Sequence, residues 1–194
     1  MDDCNTHADR GHRLADLGAP TRVQPPDAPL RHAFIGLGEA VRSEGVGDLN
    51  QLLVDTVVLR DLYTKHRWQV SGATAAPLRH LFAAHGAQLE RLVDTLADRV
   101  HALGGVATPM PSDVSERTRI DRPPAAREDP AVQMTRLAMA HEAILVLARR
   151  AAMTAGENDD EGTRAVIVSD LIRTNERQVG RVADHLVPTN LQGT

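Results

Sequence analysis

Apolar residues recur at alternating three- and four-residue steps along one stretch of the chain: Leu78, Leu81, Phe82, His85, Leu89, Leu92, Val93, Leu96, Val100 and Leu103. This is the period of a single buried stripe on a long helix, and it admits one histidine into the row. The rest of the chain is organised around this stretch, Lys65 to Gly105, because such a stripe needs at least two partner helices. About a quarter-turn away, Arg79, Ala83, Glu90, Asp94 and Asp98 share a second face, which is expected to meet something charged.

The same periodicity predicts the partners. Residues 31–44 read as a short helix ending at Gly45; Asp48 then caps a helix to about Val70, with Leu49, Leu52, Leu53, Val57, Leu62 and Tyr63 on its apolar face. Ser71 and Gly72 end it. Beyond Gly104 and Gly105 come about 25 residues carrying Pro109, Pro111, Pro123 and Pro124, inside which Ser112 to Glu116 starts a short helix. Asp129 as a carboxylate cap, followed by Pro130, opens a long helix to Ala155. After the acidic turn GENDDEGT a fourth runs from Thr163 to Leu186, with Val168, Leu171, Ile172, Val179, Val182 and Leu186 facing inward and Pro188 stopping it.

Short, long, short is the order of the connections. A few residues make antiparallel neighbours, whereas an extended chain covering about 3.3 Å per residue can carry the long link the length of a bundle. The expectation is all-α: a ferritin-like four-helix bundle, one long crossover between helices two and three, and a short helix in the crossover. Residues 1–30 read as a mobile N-terminal tail, 31–188 as the domain and 189–194 as a C-terminal tail.

Composition agrees. Aromatic residues make up 2% and hydrophobic residues 42% of 194 positions, so the core is built from Leu, Val, Ala and Ile rather than from sheet-forming runs. A net charge of −4 and a pI near 6.1 do not advertise nucleic-acid binding. DNA contact must then be local, and Arg10, Arg13 and Arg22 in the tail are the candidates, diluted there by five aspartates. Cys4 alone excludes an intramolecular disulfide. No apolar run of about 18 residues and no signal-peptide pattern is read, which makes the cytoplasm the expected compartment.

The segments DLYTKHRWQVSG, LVDTLADRVHALGG, TRLAMAHEAILVLARRAA and SDLIRTNERQVGRVADHLV resemble the DNA-protecting starvation proteins (Dps), the cage-forming mini-ferritins, over about Leu49 to Val187. A Glu-x-x-His pair, the mark of larger ferritins, does not occur. The resemblance implies a homo-oligomeric shell of twelve subunits, stress protection, iron as the ion oxidised and stored, a ferroxidase centre between two subunits, DNA binding through basic tails with nucleoid association, and no membrane. Shells mixed with other Dps subunits are a further form it allows.

The family's ligand positions fall here on Arg67, Arg79, Ala83, Asp94 and Asp98, next to Trp68. Guanidinium groups have no lone pair and stay protonated, so two arginines repel Fe²⁺ where imidazoles would hold it. One reading is therefore a degraded centre, in which Arg67 of one subunit pairs with Asp94 and Asp98 of another. The alternative is an active iron-oxidising mini-ferritin using histidine in place of the lost ligands: His85 and His141 on apolar stripes, with His66 and His80 flanking the arginines. Whether the chain is an enzyme is left open by that choice. Trp68 and Tyr63 are expected to pack rather than to relay electrons. By the same resemblance Asp160 and Glu161, and less strongly Asp159 and Asp170, are expected at pores through which Fe²⁺ enters.

Overall fold

The stripe on the second helix is answered by rows on three others. The computed structural model describes residues 29–186 apart from 74 and 109, and among them every regular element is helical. The elements are α1 (Glu39–Gln69), α2 (Ala75–Ala102), α3 (Pro111–Arg117), α4 (Pro130–Glu157), α5 (Glu161–Ala165), a π-wound stretch Val166–Ile172, and α6 (Arg173–Asp184). α1 packs along α2, α4 on α1, and the α5–α6 rod on α4. This is the four-helix arrangement with one long crossover. Leu49, Leu52, Leu53 and Leu59 of α1, Phe82, Leu89 and Leu96 of α2, and Met134, Leu137 and Ile144 of α4 are almost wholly buried. Each such side chain stabilises the fold by roughly 1.5–3 kcal/mol relative to exposure.

The crossover is bound to α1 by three polar side chains, Asn50, Gln51 and, one helical turn on, Asp55. Asn50 Nδ2 donates to the Val106 carbonyl (3.1 Å) and Gln51 Nε2 to that of Arg117 (3.1 Å). Buried Asp55 accepts from Thr118 Oγ1 (2.9 Å) and the Arg119 backbone N–H (2.8 Å).

Several boundaries differ from the expected ones. No helix stops at Gly45: α1 runs unbroken through Gly45, Gly47 and Asp48, so Asp48 is an interior residue and not a cap. Tertiary contacts outweigh the low helix propensity of glycine here. A Cβ on Gly45 would lie 3.1 Å from Leu103, and buried Arg42 one turn earlier donates to the carbonyls of Leu103 (2.8 Å) and Arg31 (3.0 Å), fixing this end of α1 on the end of α2. α3 begins at Pro111, and Asp129 occupies the N-cap position of α4 without a side-chain capping bond. The last helix ends at Asp184, short of Leu186, and Val168 and Leu186 are each 37% exposed instead of inward. π winding turns each residue through less than the 100° of an α-helix and swings Val168 outward. The inward row is Ile167, Leu171, Asn175, Gln178 and Val182.

The Ala-rich α4 also contains an 18-residue window of mean hydropathy 1.2, long and apolar enough by composition to cross a membrane, contrary to the expectation that no such run exists. Half of that window is buried inside the bundle, as a core helix requires. The 1–30 tail except its last two residues, with Cys4, Arg10, Arg13 and Arg22, and the 189–194 tail with Pro188, lie outside the described residues.

Candidate metal centre

Two places in the bundle bear on metal chemistry. The first is a shallow hollow on the α1–α2 surface lined by Arg60, Thr64, Arg67, Phe82, Ala83 and Glu90 among others. Arg67 and Ala83, two of the five ligand positions, therefore lie in one recess. Its one ion pair runs from Arg60 to Glu90 (2.9 Å), and Arg60 also holds Asp61 (2.9 Å). Arg79 is exposed and donates only to the Ala75 carbonyl of its own helix (3.3 Å). Asp94 and Asp98 are exposed farther along α2 and do not line the hollow. Neither pairs with Arg67 or Arg79 within the subunit.

The second place is the bundle interior, where each of four helices contributes a polar side chain to one hydrogen-bonded chain. Asn175 Nδ2 donates to the Leu171 carbonyl four residues back (2.9 Å), which turns its Oδ1 toward His141 Nδ1 at 2.8 Å. An amide oxygen only accepts, so His141 carries its proton on Nδ1 and its Nε2 is an acceptor. Tyr63 Oη donates to that Nε2 (2.8 Å) and must then accept from His85 Nδ1 (3.0 Å). One carbonyl thus sets the tautomer of two imidazoles. His85 Nε2 is left as a buried lone pair without a partner. Gln178 Nε2 ties the layer to α2 through the His85 carbonyl (3.3 Å) and Gln88 Oε1 (2.9 Å).

The placement follows that of ferritin-like di-iron carboxylate sites, with one inward residue from each of two helices and an i, i+3 pair from each of the other two. Here the members are Tyr63, His141, the pair His85 and Gln88, and the pair Asn175 and Gln178, without a single carboxylate. Among the described residues no three His, Cys, Asp or Glu side chains converge as a metal site. Burial pushes His85 and His141 down to about 4, so both imidazoles are neutral near neutral pH. The same cause, helped by Lys65, brings His66 to about 4. His66 is fully buried and neither ring nitrogen has a partner. His80 is exposed on α2, away from this layer.

The remaining candidates separate clearly. Asp160, expected at a pore, is 2% exposed: it pairs with Arg99 (2.6 Å) and accepts from the Thr163 backbone N–H (3.0 Å) and Oγ1 (2.6 Å), capping α5. Its charge is consumed at the bundle end. Asp159, Glu161 and Asp170 are exposed, with Glu161 on Arg164 at 3.2 Å. Tyr63 packs as expected, but Trp68 is 75% exposed, since it follows Arg67 on the outer side of α1. Asn175, Gln178, Gln88 and Arg99 were not anticipated as site residues. Two polar positions interrupting the row between Leu171 and Val182 were the available signal, because they face histidines that interrupt rows on α2 and α4.

Comparison with known proteins agrees with this architecture. Residues 46–191 match the ferritin-like domain. The chain is 30% identical over 163 residues to a nutrient stress-induced DNA-binding protein of Synechococcus, covering 81% of this chain and 89% of that one. It superimposes on DpsC from Streptomyces coelicolor with a TM-score of 0.82 at 40% identity, covering 84% and 95% of the two chains. A Dps homologue from Halobacterium salinarum, at 20% identity, shares the fold with a TM-score of 0.83. By fold, by the extent of the matching domain and by its relatives, the chain belongs to the Dps family of ferritin-like proteins.

Proposed function

We propose that this protein is a subunit of a closed, Dps-type stress-protection shell of twelve copies whose inter-subunit ferroxidase centre has lost its ligands, leaving iron binding and storage, with weak DNA association, to the assembled particle. The observation that carries the reading is the hollow between α1 and α2, where Arg67 and Ala83 stand at ligand positions and Glu90, paired with Arg60, is the one carboxylate among the lining residues. Fixed guanidinium charge near Asp94 and Asp98 of a facing subunit satisfies those carboxylates and leaves little negative charge to hold Fe²⁺. Exposed Glu161, Asp159 and Asp170 are the carboxylates available to pores, since Asp160 is occupied by Arg99. The histidine-based alternative is disfavoured because His85 and His141 spend three of their four ring nitrogens on Tyr63 and Asn175.

The test is stopped-flow oxidation of Fe²⁺ by the assembled protein, sized beforehand by native mass measurement, where a monomer would remove the shell reading. Wild type is expected to be slow. The combined change Arg67→His, Arg79→His and Ala83→Asp is expected to raise the initial rate by roughly one to two orders of magnitude, the scale on which changes around a metal act. Fast oxidation by wild type that is abolished by His85→Ala establishes the histidine centre instead.

A further inference from the structure

A groove of about 820 Å³ runs between the first half of α1 and the crossover and shares no lining residue with the hollow at Arg67. Its floor is apolar, with Val46, buried Val54 and Val106, and with Gly47, where a Cβ would meet nothing within 4 Å. One end is formed by Pro29 and Leu30. The Arg31 backbone N–H, bonded to the Gly104 carbonyl (2.9 Å), and the Arg42 guanidinium, bonded to the Arg31 carbonyl (3.0 Å), fix that end of the groove on the end of α2. Toward Val54 stand Asp113 and Glu116 of α3, a helix that Gln51 binds through the Arg117 carbonyl (3.1 Å). Neither carboxylate is in an ion pair among the described residues, and Arg117 beside them donates to Thr108 Oγ1 (3.2 Å).

Residues 20–28, PTRVQPPDA, run directly into Pro29. Each proline locks its own φ and biases the residue before it toward polyproline II, so Gln24 to Pro29 have little conformational freedom to lose on docking. We propose that this segment of the chain's own N-terminus lies along the groove, with Val23, Pro25 and Pro26 on the valine floor and Arg22 on Asp113 and Glu116. The lengths agree. From Glu39 to Val54 the groove follows α1 for about 22 Å, and the seven steps from Pro29 back to Arg22 cover about 22 Å at the 3.1 Å rise of polyproline II. Charge agrees as well, since Arg22 reaches the two free carboxylates while Asp27, two residues before Pro29, stays at the end where Arg31 and Arg42 stand. The segment is tethered to the groove through Pro29, so its effective concentration there exceeds that of any separate partner. Docked, Arg22 is spent on carboxylates of its own subunit. A consequence, which rests on the weak DNA association proposed above, is that this arginine is withheld from phosphate and DNA must compete for it.

Lys65 is the only lysine of the chain, so Arg22→Lys introduces one new side-chain amine that a carbodiimide can join to a carboxylate in contact with it. In the assembled full-length protein, peptide mapping is expected to find the amide to Asp113 or Glu116, and denaturing gels to show it within one chain. Gly47→Leu, added to Arg22→Lys, fills the floor without changing charge and suits a helix better than glycine; it is expected to cut the yield of that amide about tenfold. Helical circular dichroism verifies that each variant is folded. Retardation of duplex DNA at low salt reads the consequence: Gly47→Leu alone should bind about tenfold more tightly than wild type, and Arg22→Gln in that background should remove the gain. No amide to Asp113 or Glu116, an amide formed between chains, or an undiminished yield in folded Gly47→Leu overturns the docking. DNA affinity unmoved by Gly47→Leu, with the amide formed and lost as expected, overturns the consequence alone.

Discussion

On the outer side of α1 and α2, Arg60, Arg67 and Glu90 bring full charges into a hollow that water reaches; inside the same pair of helices, Tyr63 and His85, joined by His141 and Asn175, bring none. Charge is tolerated in the first place because solvent screens it, and there it costs only a ligand set. The interior is held by complementarity of donors and acceptors, each fixed by the next, and a charge there would be stranded.

Acidification should break the interior first. The imidazoles of His66, His85 and His141 take a proton near pH 6.5 when unfolded and near 4 in the fold. Between those values the unfolded chain binds more protons, so their contribution is complete above about pH 6.5 and lost as pH falls through 4, at roughly 3 kcal/mol for each imidazole. Denaturant titrations across that window are expected to show a steep fall in midpoint, relieved in part by His66→Leu. A flat profile removes the buried neutral imidazoles.

Arg99→Ala comes next. It strands the buried Asp160 carboxylate and should cost about 3–5 kcal/mol, read as a lowered unfolding midpoint. Tyr63→Phe leaves the His85 Nδ1–H and the His141 Nε2 without partners; about 2–3 kcal/mol, or roughly 5 °C or more in Tm, should be lost in calorimetry. Glu90→Gln is the smallest change. It breaks the exposed pair with Arg60 and should move stability by less than about 1 kcal/mol, so a cost equal to that of Arg99→Ala would erase the distinction between the two regions.

The four long helices and the rows on α2 and α4 were legible from periodicity, and the long crossover from the length of its connection. The α1 boundary was not: Gly45 read as a helix end and Asp48 as a cap, whereas the close approach of Leu103 and Asp160 to Gly45 and the bond from Arg42 to the Leu103 carbonyl belong to tertiary packing that the sequence does not display. His85 and His141 could be placed on buried faces, but their partner on α6 could not, since a row containing Asn175 and Gln178 looks polar until its neighbours are known. Asp160 misled for the opposite reason. In an acidic turn one carboxylate resembles another, and which of them a cation on a distant helix will claim is a fact of tertiary geometry.

The π-wound stretch from Val166 to Ile172 acts as a phase adjuster for everything after it. A π turn carries about one residue more than the α turn it replaces, and one residue is about 100° of helix rotation. Removing a single residue there would leave local backbone bonding as good or better, yet would rotate Asn175 away from His141. The tautomers of two imidazoles on other helices, and with them the direction of every proton in the chain through Tyr63, therefore depend on the length of a segment whose hydrogen bond to that layer is the Leu171 carbonyl's with Asn175.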